Sequence, residues 1–389
     1  MKVRNFFLMA LAASMALVSC DKSENDVVPT DTQLKRVTIK LPNLTSPSSI
    51  GSRAVGDAME NNSQVALANF QVFFLDANGN EVTIPEYPAG TTQKTYFSSD
   101  DQESWEAITA DGRDLTYHFL PYTTAKVVVV GNQGEIVYAN LANKSENVLN
   151  DTETGHPTYT LYGEDDLVEG GAPDDENHEN VYQASVTLEP RVSRFEIYGF
   201  EYELAQAPAT NKYTSVKLEK IALNHYYTAY DFVTKTPSET GKVFAEPNAS
   251  TLWTWVDGAA APWADVLSSS ETDVLSLNAG ESKAPNGGAV AANNGEGAED
   301  IITYGLAHVA DAANNPELLL TLHGTTAGGT VEPIYLRGKF TNSAAFNSGK
   351  IYRVLYSFSD DDFDQPERCV ELNVKVADWT IVPVTPNFD

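Results

Sequence analysis

The eight residues NFQVFFLD at 69–76 are apolar on both faces, and a segment of that length buries both faces only as a central strand of a layered β structure. Short β-rich runs recur along the chain between turn clusters. They fall at 115–120 and 126–130, joined by a turn at Pro121-Tyr122, then at 182–188, 191–200, 215–224 and 226–233. They return at 301–307, 317–323, 333–340, 350–358, 369–376 and 379–384. DANGN at 76–80 turns the chain into 81–84 as a hairpin. No long stretch carries the 3.6-residue apolar period of an amphipathic helix; residues 105–110 suit either a short helix or a strand. The pattern predicts an all-β sandwich architecture. The acidic, glycine-containing segment 163–180 reads as a solvated loop, and the low-complexity segment 281–299 as a flexible insertion.

A chain of 389 residues is long for one core, and Glu189-Pro190 offers a hinge, so two domains are expected at 54–189 and 190–377. A formal charge of −29 with no basic stripe argues against nucleic acid as a partner. The beginning of the chain reads as an address. Lys2 and Arg4 precede a 13-residue apolar stretch at 6–18, too short to cross a bilayer, and Leu17-Val18-Ser19-Cys20 follows. This resembles the lipobox of bacterial lipoproteins, which implies a signal peptide at 1–19, lipid on Cys20 and an outer-membrane precursor tethered by the polar run after it. Cys369 is the second of two cysteines and sits in the strand-like CVELNVKV. With Cys20 lipidated, no disulfide within the chain is possible and stability rests on the cores.

Two stretches at opposite ends share one chemistry. In KRVTIKLPNLTSPSSIGSRA at 35–54, Val37, Ile39 and Leu41 alternate with Thr38 and Lys40, half of a buried strand. The chain then passes Pro42, Pro47 and a Ser/Gly run to Arg53, a context open to a trypsin-like protease. Cutting at Arg53-Ala54 would release a strand, whereas cutting at the equally loop-like Arg113 would nick a domain. Losing 1–53 removes seven basic and four acidic residues, taking the charge from −29 to −32. At the other end, Val370, Leu372, Val374 and Val376 alternate with polar residues, and Trp379, Ile381, Val382 and Val384 extend the apolar edge after Ala377-Asp378. This tail is either the last strand of its own sheet or a strand able to fill a slot elsewhere. The part after Asp378, residues 378–389, is the better donor, and Pro383 and Pro386 limit its pairing with other edges.

The sequence offers no catalytic constellation, so the chain is not read as an enzyme. Six histidines are scattered without HExxH or Cys-His spacing, and no G-x-S-x-G, P-loop or G-x-G-x-x-G occurs. Asp76, Asn78 and Asn80 imitate the start of a calcium loop, but Glu81 and Tyr87 stand where a Gly and a bidentate Glu are required. The acidic clusters at 174–179 and 360–364 read as solvated charge, and no metal or other cofactor is expected. Trp253, Trp255 and Trp263 could stack on sugars or fill a core.

The lipobox, the Arg-Ala site after the first strand, VVVVGN at 127–132, RVSRFEI at 191–197, FNSGKIYRV at 346–354 and LNVKVADW at 372–379 follow in an order that resembles the fimbrillin family, the FimA-like and Mfa-like subunits of type V pili. The resemblance implies two tandem transthyretin-like β-sandwich domains with a removable first strand and a C-terminal donor strand. An Arg-specific protease would remove the strand carrying Val37, Ile39 and Leu41, whose burial is worth roughly 5 to 9 kcal/mol. The tail of another subunit, with Val374, Val376, Trp379, Ile381, Val382 and Val384, would fill the slot. The implied partners are copies of itself, related subunits and a host glycan or protein. The alternative is a monomeric surface lipoprotein binding glycans through its tryptophans.

Overall fold

The computed structural model describes residues 33–42, 64–98, 105, 114–142, 144–145, 159–172, 178–227, 229–239, 242–243, 275–285, 287–290, 302–305, 317–339, 349–363, 369–371, 373–378 and 380–383. These residues are nearly all β, as the run of short strands predicts. Two sheets draw their strands from residues 35–190 and two more from residues 194–378.

In the first pair, a four-stranded sheet runs Val168–Glu169, Asn180–Ser185, Lys35–Lys40, Asp114–Leu120. Facing it is a six-stranded sheet centred on Asn69–Asp76 and Thr124–Gly131, with Leu161–Asp166 beyond the latter. Asn69–Asp76 is buried on both faces because each face meets a different layer. Phe70, Val72 and Phe74 join Val37, Ile39, Leu115 and Tyr117 in the main core, with Phe74 edge-on to Tyr117 at 5.1 Å. Phe73 and Leu75 point the other way, into a smaller cluster with Val128, Val130, Leu141, Tyr162 and Phe232. Phe232 comes from the second half of the chain, where the strand Ala229–Asp231 pairs with Lys144–Ser145 and the Phe232 amide donates to the Leu141 carbonyl at 3.1 Å.

In the second pair, Arg194–Tyr202 lies parallel to Lys350–Phe358, and Tyr213–Asn224 antiparallel to Glu317–Thr326. Their inward residues, among them Phe200, Tyr202, Val354 and Tyr356 against Val216, Leu218, Leu318 and Leu320, belong to the same continuous core. The Tyr202 hydroxyl donates to the Tyr213 carbonyl at 3.1 Å, crossing from one sheet to the other. Between the neighbouring strands Glu317–Thr326 and Val331–Lys339, Arg337 forms a bidentate pair with the fully buried Glu317 at 2.8 and 2.6 Å, compensating a charge that could not otherwise be buried.

Three local expectations change. Within the segment 163–180, expected as a solvated loop, residues 163–166 and 168–169 lie in the strands Leu161–Asp166 and Val168–Glu169: Gly163 is buried beside Leu161 and Tyr162, and Glu164 is held by Lys126 at 3.1 Å and by Lys235. The acidic run is one wet, ion-paired end of a strand. Within 281–299, Ser282–Lys283 pairs with Phe200 and Glu201, so the insertion begins inside the sheet. Glu189–Pro190, read as a hinge, forms a two-residue strand against Leu161 and Tyr162.

Candidate functional site

The first strand, Lys35–Lys40, is an interior strand. It runs parallel to Asn180–Ser185 from Lys35↔Asn180 to Lys40↔Ser185, and antiparallel to Asp114–Leu120 from Lys35↔Leu120 to Lys40↔Asp114. Alternation puts Val37 and Ile39 in the core at 0% exposure, and Leu41 packs against its edge half-buried. The wet face carries weaker contacts: Thr38 and Thr116 hydroxyls at 3.4 Å, and Lys40 to Asp114 at 4.0 Å. The strand is stitched at both ends. The Asn180 amide donates to the Leu34 carbonyl at 2.9 Å, and the Val186 amide to the Lys40 carbonyl at 2.8 Å. Lys35 Nζ donates to the Thr124 carbonyl at 2.6 Å and lies 4.2 Å from the centre of the Tyr182 ring.

Beneath the strand, Tyr117 hydrogen-bonds Tyr96 through their hydroxyls at 2.9 Å. Burial pushes the Tyr117 phenol well above its ordinary range and Tyr96 likewise upward, so both stay neutral and the floor of the seat is uncharged. At the end where the strand begins, the register shifts between Lys35 and Val37, and Phe119 adopts φ +58°. Glu179, fully buried, accepts the Phe119 amide and pairs with His118 Nδ1 at 2.8 Å. No local sequence signal marks this clamp, because its members lie about 60 residues apart.

The tail divides after Asp378. Asn373–Asp378, which carries Val374 and Val376, pairs antiparallel with Lys350–Phe358 inside the second pair of sheets. Thr380–Pro383 leaves that sheet and, among the described residues, pairs in parallel with Gln64–Leu67 alone, Ile381 opposite Val65 and Val382 opposite Ala66. Cys20, Arg53, Ala54, Arg113, Trp379, Val384 and the three tryptophans Trp253, Trp255 and Trp263 lie outside the described residues.

Among the described residues no group of three or more His, Cys, Asp or Glu could hold a metal ion. The Asp76 carboxylate accepts the Asn78 and Asn80 amides at 2.8 and 2.9 Å and the Asn80 side chain at 3.0 Å, which lowers its pKa and makes a hairpin turn. Asp360 accepts the Tyr202 hydroxyl and the Lys212 amide, both at 2.6 Å, tying a helical turn over the second core. The arrangement is one of strand seats and aromatic packing.

No family model and no curated protein matches the chain. Solved structures do. A candidate cell-adhesion protein from Parabacteroides distasonis is similar over 92% of this chain and 100% of its own, with a TM-score of 0.50 and 13% identity. A candidate cell-adhesion protein from Bacteroides eggerthii matches over 92% and 100%, with a TM-score of 0.46 and 16% identity. A fimbrilin from Porphyromonas gingivalis matches over 90% and 99%, with a TM-score of 0.43 and 13% identity. The first of these shows that the chain has an all-β fold shared along nearly its whole length.

Proposed function

We propose that this chain is a structural subunit of a cell-surface fimbria, a stalk subunit that assembles by exchanging strands between copies. Its two sandwiches would be 54–189 and 190–377. It is exported as a lipoprotein anchored to the outer membrane through Cys20, cut between Arg53 and Ala54 by an Arg-specific protease, and polymerised when the tail of one copy fills the slot vacated by Lys35–Lys40 in another. The observation that carries this reading is the interior seat of the first strand: a six-residue element with two fully buried side chains and a neighbour on each side, joined to the rest by a segment containing Arg53. Removing it splits a sheet, exposes apolar floor and strands two rows of backbone donors and acceptors, which a second strand satisfies. The ordered motifs that resemble fimbrillins, and a fold shared with a candidate adhesion protein, support the same reading.

The test is limited trypsin digestion of the chain from residue 21 onward, with N-terminal sequencing and sizing without boiling. A new start at Ala54 together with ladders of oligomers, both absent from an Arg53→Ala variant, is the expected result. Clean cutting at Arg53 that leaves a monomer would overturn it.

A further inference from the structure

The slot beneath the first strand has a direction. One neighbour, Asp114–Leu120, is antiparallel to Lys35–Lys40 and the other, Asn180–Ser185, is parallel. The two kinds of ladder space their donors and acceptors differently, so a replacement that reuses the vacated groups runs as Lys35–Lys40 runs. It therefore enters beside Leu120 and Asn180. Its own body cannot be far behind, because a single residue, Trp379, separates Asn373–Asp378, which pairs within its own sheet, from Thr380–Pro383.

That entrance carries an apolar surface. Leu34, Phe119 and Tyr122 are 43%, 39% and 54% exposed, three of the large hydrophobic side chains left in solvent among the described residues. Leu34 would leave with the strand, and Phe119 and Tyr122 stay. Phe119 is not a stray residue. Its φ of +58° is uncommon for an aromatic, and the buried Glu179 carboxylate holds it there by accepting its amide. Tyr122 follows in the turn closed by the Thr124 amide donating to the Pro121 carbonyl at 3.0 Å. Resting on the strand-exchange reading above, we infer that Phe119 and Tyr122 form a docking surface for the body of the neighbouring copy whose tail fills the slot. The contact between subunits then extends beyond the exchanged strand, and the surface selects a whole subunit over a free strand of the same sequence.

The experiment separates those two ligands. Chains carrying Tyr122→Ser, or Phe119→Asn with a residue that tolerates positive φ, are cut with trypsin beside the native chain. Light scattering follows polymer growth, and fluorescence anisotropy follows binding of a synthetic peptide of residues 373–389. The expected result is polymerisation slowed at least tenfold with peptide affinity within twofold of native. Variants that polymerise at the native rate would overturn the inference. So would variants that lose peptide binding in step with assembly, since Phe119 and Tyr122 would then be shaping the slot. If the native cut chain neither binds peptide nor polymerises, the strand-exchange reading itself fails and the docking surface falls with it.

Discussion

The first and last described strands of this chain are of similar length and held in opposite ways. Lys35–Lys40 lies between two neighbours with Val37 and Ile39 fully buried, whereas among the described residues Thr380–Pro383 pairs with one strand, Gln64–Leu67, in a two-stranded ladder. Two strands alone are marginal in water, and three or more with a buried face are not. Burying Val37 and Ile39 contributes about 3 to 6 kcal/mol, before the ladder on either side is counted. The difference teaches where the proposed exchange draws its driving force. In the proposed exchange the tail would give up a ladder with one described neighbour and gain a seat with two, while the first strand, as long as it stays attached, would keep that seat filled. On the proposed reading, cleavage would act as the switch, turning a local strand into one that can dissociate.

The sharpest way to break this comparison is to put the same charge in both strands. Ile39→Asp places a carboxylate with no partner at a fully buried position, and should cost the uncut chain about 4 kcal/mol or prevent folding, read by urea denaturation. Ile381→Asp should cost the uncut chain less than Ile39→Asp does, because Thr380–Pro383 has one described neighbour and Lys35–Lys40 has two, yet abolish polymerisation after cutting. If the two substitutions destabilise the uncut chain equally, the strands are not held differently.

A smaller effect probes the sheet that keeps all its strands. Phe232→Ala removes the ring that covers the outer face of Asn69–Asp76 and Thr124–Gly131, and should cost about 3 kcal/mol by denaturation, equally before and after cleavage. A loss that differs between the two states would mean that opening the slot also disturbs the six-stranded sheet.

The smallest effect is electrostatic and lies on that same sheet. Burial alone would raise the Glu164 pKa, but hydrogen bonds from Lys235, Tyr162 and Lys126 outweigh it and bring the carboxyl from an ordinary 4.5 to about 2. A lowered folded pKa contributes stability that is complete above the unfolded value and disappears as pH falls from about 4.5 toward 2. Because solvent screens the group, the contribution is about 1 kcal/mol. Glu164→Gln should lower stability by that amount at pH 7 and leave it unchanged near pH 2, again in cut and uncut chains alike.

What the sequence disclosed was what local pattern can encode. Alternation marked Val37, Ile39 and Leu41 as one apolar face, two-sided hydrophobicity marked Asn69–Asp76 as central, and DANGN marked its hairpin, where Phe74 now opposes Val82. Features made by residues remote in the chain stayed hidden. The acidity of 164–166 suggested a loop because nothing nearby neutralises it; its partners Lys126 and Lys235 lie 38 and 71 residues from Glu164. The Glu179 clamp on Phe119 and the Glu317–Arg337 pair are likewise made only when distant strands meet. The position of the first strand was hidden for the same reason. Alternation places a strand on a sheet face but does not say whether it has one neighbour or two, and that count sets the consequence of its removal.

Amide hydrogen exchange across residues 114–120 and 180–185 tests the central claim most directly, measured in the uncut chain, in the cut chain freshly stripped of its first strand, and in the polymer. Both segments should be protected in the uncut chain, exchange at least a hundredfold faster once Lys35–Lys40 has gone, and regain protection in the polymer, with the Arg53→Ala chain showing no change after protease treatment. Protection that persists after the first strand has left, or that fails to return on assembly, would contradict the account.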